Sequence, residues 1–239
     1  MLGKLIKYDV KAMGKIIVPF WIVLLIAGWF LSIRLRFGDV TSSNTLDVIA
    51  ILVCVMVVTA VFVMTVVIII QRFWKGLLKE EGYLMFTLPV SARSLILSKM
   101  LSALLISLGT IAVLILMFLP LVFIQNVHVS WKVLLNALDI NVWKSLGYGI
   151  ALGLAELVSS IYHMYASMAL GQLSNRNRFA LSVAAYILIT IVLGIISVPI
   201  MDMVNEDMMN VLLLAGAVLE VIVFHVVTEY ILSKKLNLE

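Results

Sequence analysis

Six long apolar runs divide this chain and leave little freedom of fold class. They cover about 16–33, 46–71, 100–124, 145–172, 179–200 and 210–232. A helix needs roughly 20 apolar residues to cross a bilayer, and in hydrocarbon a helix satisfies all of its own backbone groups. The chain is 64% hydrophobic and only 13% charged, about half the charge of an ordinary soluble domain. These runs predict an all-α integral membrane protein with six transmembrane helices. Six spans and their loops account for the 239 residues and leave no room for a soluble catalytic domain.

The basic residues then set the expected orientation. With the amino terminus inside, Lys4, Lys7, Lys11 and Lys15 fall on the inner side. So do Arg72, Lys75, Lys79, Arg93 and Lys99, then Arg176 and Arg178, then Lys234 and Lys235. Only Arg34, Arg36, Lys132 and Lys144 fall outside. By the positive-inside rule both termini are expected in the cytoplasm. The net charge of +4 is therefore a statement of topology, and no nucleic-acid partner is expected.

Residues 1–15 place Leu2, Ile6, Val10 and Met13 on one helical face and the four lysines largely on the other. That pattern predicts an N-terminal amphipathic interfacial helix on an anionic leaflet. A signal peptide is the rival reading. The run that follows is long for one, and Arg34–Leu35–Arg36 stands where a small-residue cleavage site is expected. The remaining chain is expected as a transmembrane domain over 16–232 and a cytoplasmic tail over 233–239. Trp21 and Trp29 are candidate interfacial anchors, and Pro120 is expected to kink the third span. Residues 126–144, with Trp131 and Trp143, suggest a helix lying in the outer interface. The single cysteine, Cys54, lies within an apolar run and reads as a packed small hydrophobe.

The most informative stretch lies between the second and third spans, over 71–99. Arg72, Lys75, Lys79, Glu80, Glu81, Arg93 and Lys99 predict that it sits in water, because a central charge in a span costs roughly 3 kcal/mol even on lenient scales. Yet Tyr83, Leu84, Met85, Phe86, Leu88 and Val90 crowd between Gly82 and Ser91. Gly82 can end a helix, Pro89 pushes Leu88 out of the α region, and Ser91 is a candidate N-cap for a helix running into the third span. These residues describe a compact knob with apolar anchors and a charged rim.

The run Glu81-Gly82-Tyr83-Leu84-Met85-Phe86-Thr87-Leu88-Pro89-Val90-Ser91, followed by Ser98 and Lys99, resembles the first cytoplasmic loop of bacterial type-2 ATP-binding-cassette exporter permeases, especially short Firmicutes-like members. The resemblance implies a multi-pass protein of the bacterial plasma membrane, with the knob as a cytoplasmic coupling helix. Lys79, Glu80, Glu81, Gly82, Tyr83, Phe86, Thr87, Leu88 and Pro89 would then dock a separate ATPase subunit. It implies a second permease copy or a paralogue as partner, with no cofactor on this chain and ATP and magnesium on the ATPase. It also implies export of an apolar or amphipathic substrate such as a peptide, antimicrobial or drug. The large extracellular domain of longer members is missing. In the family the region around Pro199 forms a re-entrant outer gate, and here 199–210 reads equally as a kinked turn.

Other chemistry is sparse. The chain has no G-x-x-x-x-G-K-[ST] phosphate loop, no H-E-x-x-H and no cysteine cluster. His225 and Glu229, at i and i+4, could share a metal only with further ligands, and read more simply as a polar pair near a helix end. Glu156 and His163 lie on one face of the fourth span, about 10 Å apart along its axis. With Ser159, and with Glu220 near mid-depth in the sixth span, they form a candidate polar stripe lining a substrate path or subunit seam. Ser160 and Tyr162 are nearby. The alternative is a hydrogen-bonded glutamate that holds helices together. Gly149 and Gly153 have the spacing of close helix packing. A non-transporting sensor, immunity or scaffold subunit, or a membrane enzyme, remains as an alternative function.

Overall fold

The computed structural model describes residues 2–37, 45–78, 91–124, 140–174, 177–203 and 206–234. Six α-helices follow one another: α1 (Leu2–Phe37), α2 (Thr45–Phe73), α3 (Ala92–Ile124), α4 (Ile140–Gly171), α5 (Arg178–Met203) and α6 (Glu206–Lys234). A five-residue π-helical turn, Trp74–Leu78, continues α2. No strand occurs among the described residues. All six helices are long and apolar enough to cross a membrane, as the six runs predict. The protein is an all-α, multi-pass membrane protein.

The chain folds as two compact units, one of Gly3–Arg72 with Leu105–Leu134 and the other of Phe73–Leu104 with Leu135–Glu239. In the first unit Leu24 and Leu31 of α1, Ala50, Cys54 and Val61 of α2, and Met117 of α3 form one buried cluster. Cys54 is thus the packed small hydrophobe expected of it. Lipid tails are as apolar as these side chains, so close fit and interhelical hydrogen bonds must hold the helices together. The fit is close at Gly28, where a Cβ would stand 2.9 Å from the Met117 carbonyl oxygen. Trp21 does not serve as an interfacial anchor. Its Nε1 donates to Thr110 Oγ1 at 3.1 Å, and the Thr110 hydroxyl lies 3.3 Å from that of Thr65. Trp29 is exposed.

The amino-terminal segment is continuous with the first span, since α1 runs from Leu2 to Phe37 as one helix. Its four lysines face outward as their spacing predicts. The opposite face packs on protein: Met13 and Ile17 are buried with Ile68 and Ile106. Asp9, only 2% exposed, lies on that inner face and pairs with Arg72 Nε at 2.6 Å. At the other end of α1, Arg34 is still helical and meets Asp47 in the first turn of α2 at 3.0 Å.

In the second unit α4 packs against both α5 and α6. Three successive turn hydrogen bonds, from the amides of Gln172, Leu173 and Ser174 to the carbonyls of Ala169, Leu170 and Gly171, tighten the end of α4. Pro199 lies inside α5, which continues to Met203, and α6 begins at Glu206. Most of the expected outer interfacial helix falls outside the described residues, and its last residues open α4.

Candidate functional site

Only the two flanks of the 71–99 segment are described, and both are packed helix rather than wet loop. On the entering side Phe73 is fully buried and stacks on Tyr165 of α4, with ring centroids 3.9 Å apart and planes 16° from parallel. Gly76, Leu77 and Leu78 of the π-helical turn are buried as well. On the leaving side Ser91 caps α3 as its sequence suggests, its Oγ accepting from the Ser94 amide at 3.4 Å. Leu95, Ile96, Ser98 and Lys99 then turn inward and are buried. The helix that carries them needs an inner face, and their near four-residue spacing supplies it. Lys79, Glu80, Glu81, Gly82, Tyr83, Phe86, Thr87, Leu88 and Pro89 lie outside the described residues.

A polar ladder joins three helices of this unit. Arg93, in the first turn of α3, places Nε 2.5 Å from Glu229 Oε1 on α6. The other Glu229 oxygen lies 3.9 Å from His225 Nε2, one helical turn back. The Nδ1 of His225 is 3.1 Å from the Tyr162 hydroxyl on α4, with the two rings edge to face. Tyr165, next on α4, donates from its hydroxyl to the backbone carbonyl of Lys99 on α3 at 3.2 Å. Glu229 and His225 thus do more than form a polar pair at a helix end. Their i, i+4 spacing is visible in sequence, but the third helix that completes the ladder is not.

One turn deeper, Ser159 of α4 donates to Glu220 Oε2 of α6 at 2.5 Å. His163 is held flat between Tyr186 of α5 and Phe224 of α6, its centroid 4.4 Å and 5.2 Å from theirs. Its Nε2 is buried and has no hydrogen-bond partner among the described residues. Three members of the expected stripe, Ser159, His163 and Glu220, therefore meet where α4, α5 and α6 pack. Glu156 does not join them: it is exposed, although it shares a face of α4 with His163. The reason is coverage by depth. Tyr186 and Phe224 cover that face at His163, while residues 142–151, nearer the start of α4, are exposed on every side.

The arrangement ties helices together and keeps a carboxylate hydrogen-bonded within a span, which is how such groups are accommodated. Among the described residues no group of three histidine, cysteine or acidic side chains could hold a metal ion. Comparison with protein-family models, with curated proteins and with solved structures finds no match to this chain.

Proposed function

We propose that this chain is the transmembrane permease subunit of an ATP-driven exporter of the type-2 ATP-binding-cassette class. It moves an apolar or amphipathic substrate outward, powered by separate cytoplasmic ATPase chains. One observation carries the reading. Between two membrane-spanning helices lies a short charged and aromatic segment whose run Glu81 to Ser91 resembles the coupling loop of that family. The packing of its flanks adds support. A motor can move spans through a loop only if the loop's ends are fixed to them, and Phe73 on one side and Arg93 on the other are tied to α4 and α6.

ATP and magnesium belong to the partner in this reading, and a second permease copy completes the pathway. Tyr83, Phe86 and Leu88 supply apolar anchors, and Lys79, Glu80 and Glu81 fix the register of docking.

Mild-detergent purification of the tagged chain from its own cells tests this. A stoichiometric ATPase is expected, lost on Phe86→Ala with Tyr83→Ala. Recovery of the intact chain without any ATPase would overturn the reading. An ATPase that is retained, but drives no flux into vesicles, would favour a sensor or scaffold subunit.

A further inference from the structure

One face of the first turns of α1 is packed on protein, and the opposite face is not. Asp9, the one acidic residue in α1, turns inward to Arg72, and Met13 and Ile17 are buried with Ile68 and Ile106. On the other side Lys4, Lys7, Lys11 and Lys15 are all exposed, and at about 100° per residue they fall within an arc of roughly 80°. None of the four takes part in an ion pair among the described residues. Tyr8, 71% exposed, borders the row. The result is a stripe of positive charge about 16 Å long that carries no acid.

Its place along the helix decides what can cover it. Residues 16–33 bear no charge and are about 27 Å long, close to the roughly 30 Å of hydrocarbon in a bilayer. Lys15 therefore stands at the hydrocarbon edge. Because α1 is unbroken and stays beside α2 as far as the Asp9–Arg72 pair, the other lysines follow in steps. Lys11 lies about 6 Å further out, Lys7 about 12 Å and Lys4 about 16 Å. The headgroup layer is about 5–8 Å deep on each side, so Lys11 and Lys15 fall within it and Lys4 and Lys7 beyond it. We propose that this stripe binds the anionic headgroups of phospholipids, with Lys11 and Lys15 in direct contact with phosphate and Lys4 and Lys7 acting at longer range.

Charge complementarity singles out that occupant. A lysine head is a compact point charge, and its attraction to an anionic leaflet is strong at the surface and fades over roughly 8–10 Å in physiological salt. A zwitterionic headgroup offers the same phosphate, but its own cation competes for it. Each lysine stem can lie along the helix while its head reaches the phosphates, and no partner within the chain has to be displaced. The inference goes beyond the permease reading and needs neither an ATPase nor a second copy.

Quenching of a fluorophore beside the stripe tests it. A Cβ at Gly14 meets nothing within 4 Å, so Gly14→Cys in a Cys54→Ala background can carry bimane without disturbing the packing. Gly194→Cys on α5, equally open, is the control. The full-length chain is reconstituted in phosphatidylcholine vesicles doped with doxyl-labelled phosphatidylglycerol or with doxyl-labelled phosphatidylcholine. At Gly14 the phosphatidylglycerol quencher should be favoured roughly 20-fold at low salt, and much less in about 0.5 M salt. Lys11→Gln with Lys15→Gln should remove the preference, at about fivefold per lysine, while Lys4→Gln with Lys7→Gln should leave most of it. Equal quenching by the two lipids at Gly14 would overturn the proposal and leave the stripe to an acidic protein surface. A preference that survives loss of Lys11 and Lys15, that is as large at Gly194, or that is carried by Lys4 and Lys7 would overturn it as well.

Discussion

Arg93 of α3 and Glu229 of α6, 136 positions apart in sequence, meet at 2.5 Å. The contact binds the first turn after the 79–90 segment to the end of the last span. Because the Arg93 side chain is 72% exposed, water screens the pair and its share of stability is small, about 0.2–1 kcal/mol. Its value is positional.

Arg93→Ala and Glu229→Gln should therefore leave thermal unfolding in detergent within a few degrees of the parent. On the permease reading both should lower substrate-linked ATPase activity of the assembled complex several-fold. The swap Arg93→Glu with Glu229→Arg should restore part of it. Equal loss of unfolding temperature and activity would make the pair merely structural.

The Asp9–Arg72 pair behaves differently. With Asp9 only 2% exposed, breaking this pair disturbs a buried carboxylate and should cost about 3–5 kcal/mol. Asp9→Ala and Arg72→Ala should each lower the unfolding temperature sharply, and the double variant should lose less than the sum. Additive losses in that cycle would show that the two side chains are not coupled.

Ser159 and Glu220 test the interior of the α4–α6 contact. Ser159→Ala removes the donor and leaves the carboxylate short of a partner, at about 1–3 kcal/mol. Glu220→Gln retains an acceptor for the serine and should cost less. Denaturation in mixed micelles reads both. The reverse order would mean that the carboxylate is held by something other than Ser159.

Much of the fold was legible because hydrocarbon is a simple solvent. Long apolar runs marked all six spans, and Ser91 announced its helix start. What failed to show was where helices face protein. Lysine spacing at residues 4–15 suggested an amphipathic helix lying on a membrane, yet a lipid-facing and a protein-facing apolar side look alike in sequence. Asp9, on that inner face, was the available clue. Glu156 and His163 share a face by periodicity, but periodicity is silent on how far along α4 that face is covered. Arg93 and Lys99 looked equally wet, and only packing separates the exposed guanidinium from the buried lysine. The ladder through Tyr162, His225 and Glu229 needed three helices in register, which no single stretch encodes.

If the segment between α2 and α3 receives work from a cytoplasmic motor, as proposed, it must lie on the cytoplasmic side of the membrane. Single cysteines placed from Gly82 to Ser91, in a Cys54→Ala background, can be challenged with a membrane-impermeant maleimide on intact cells and on inverted vesicles. Labelling in inverted vesicles and protection in intact cells are expected. Labelling from outside intact cells would contradict the proposal, since no cytoplasmic ATPase could then reach the segment.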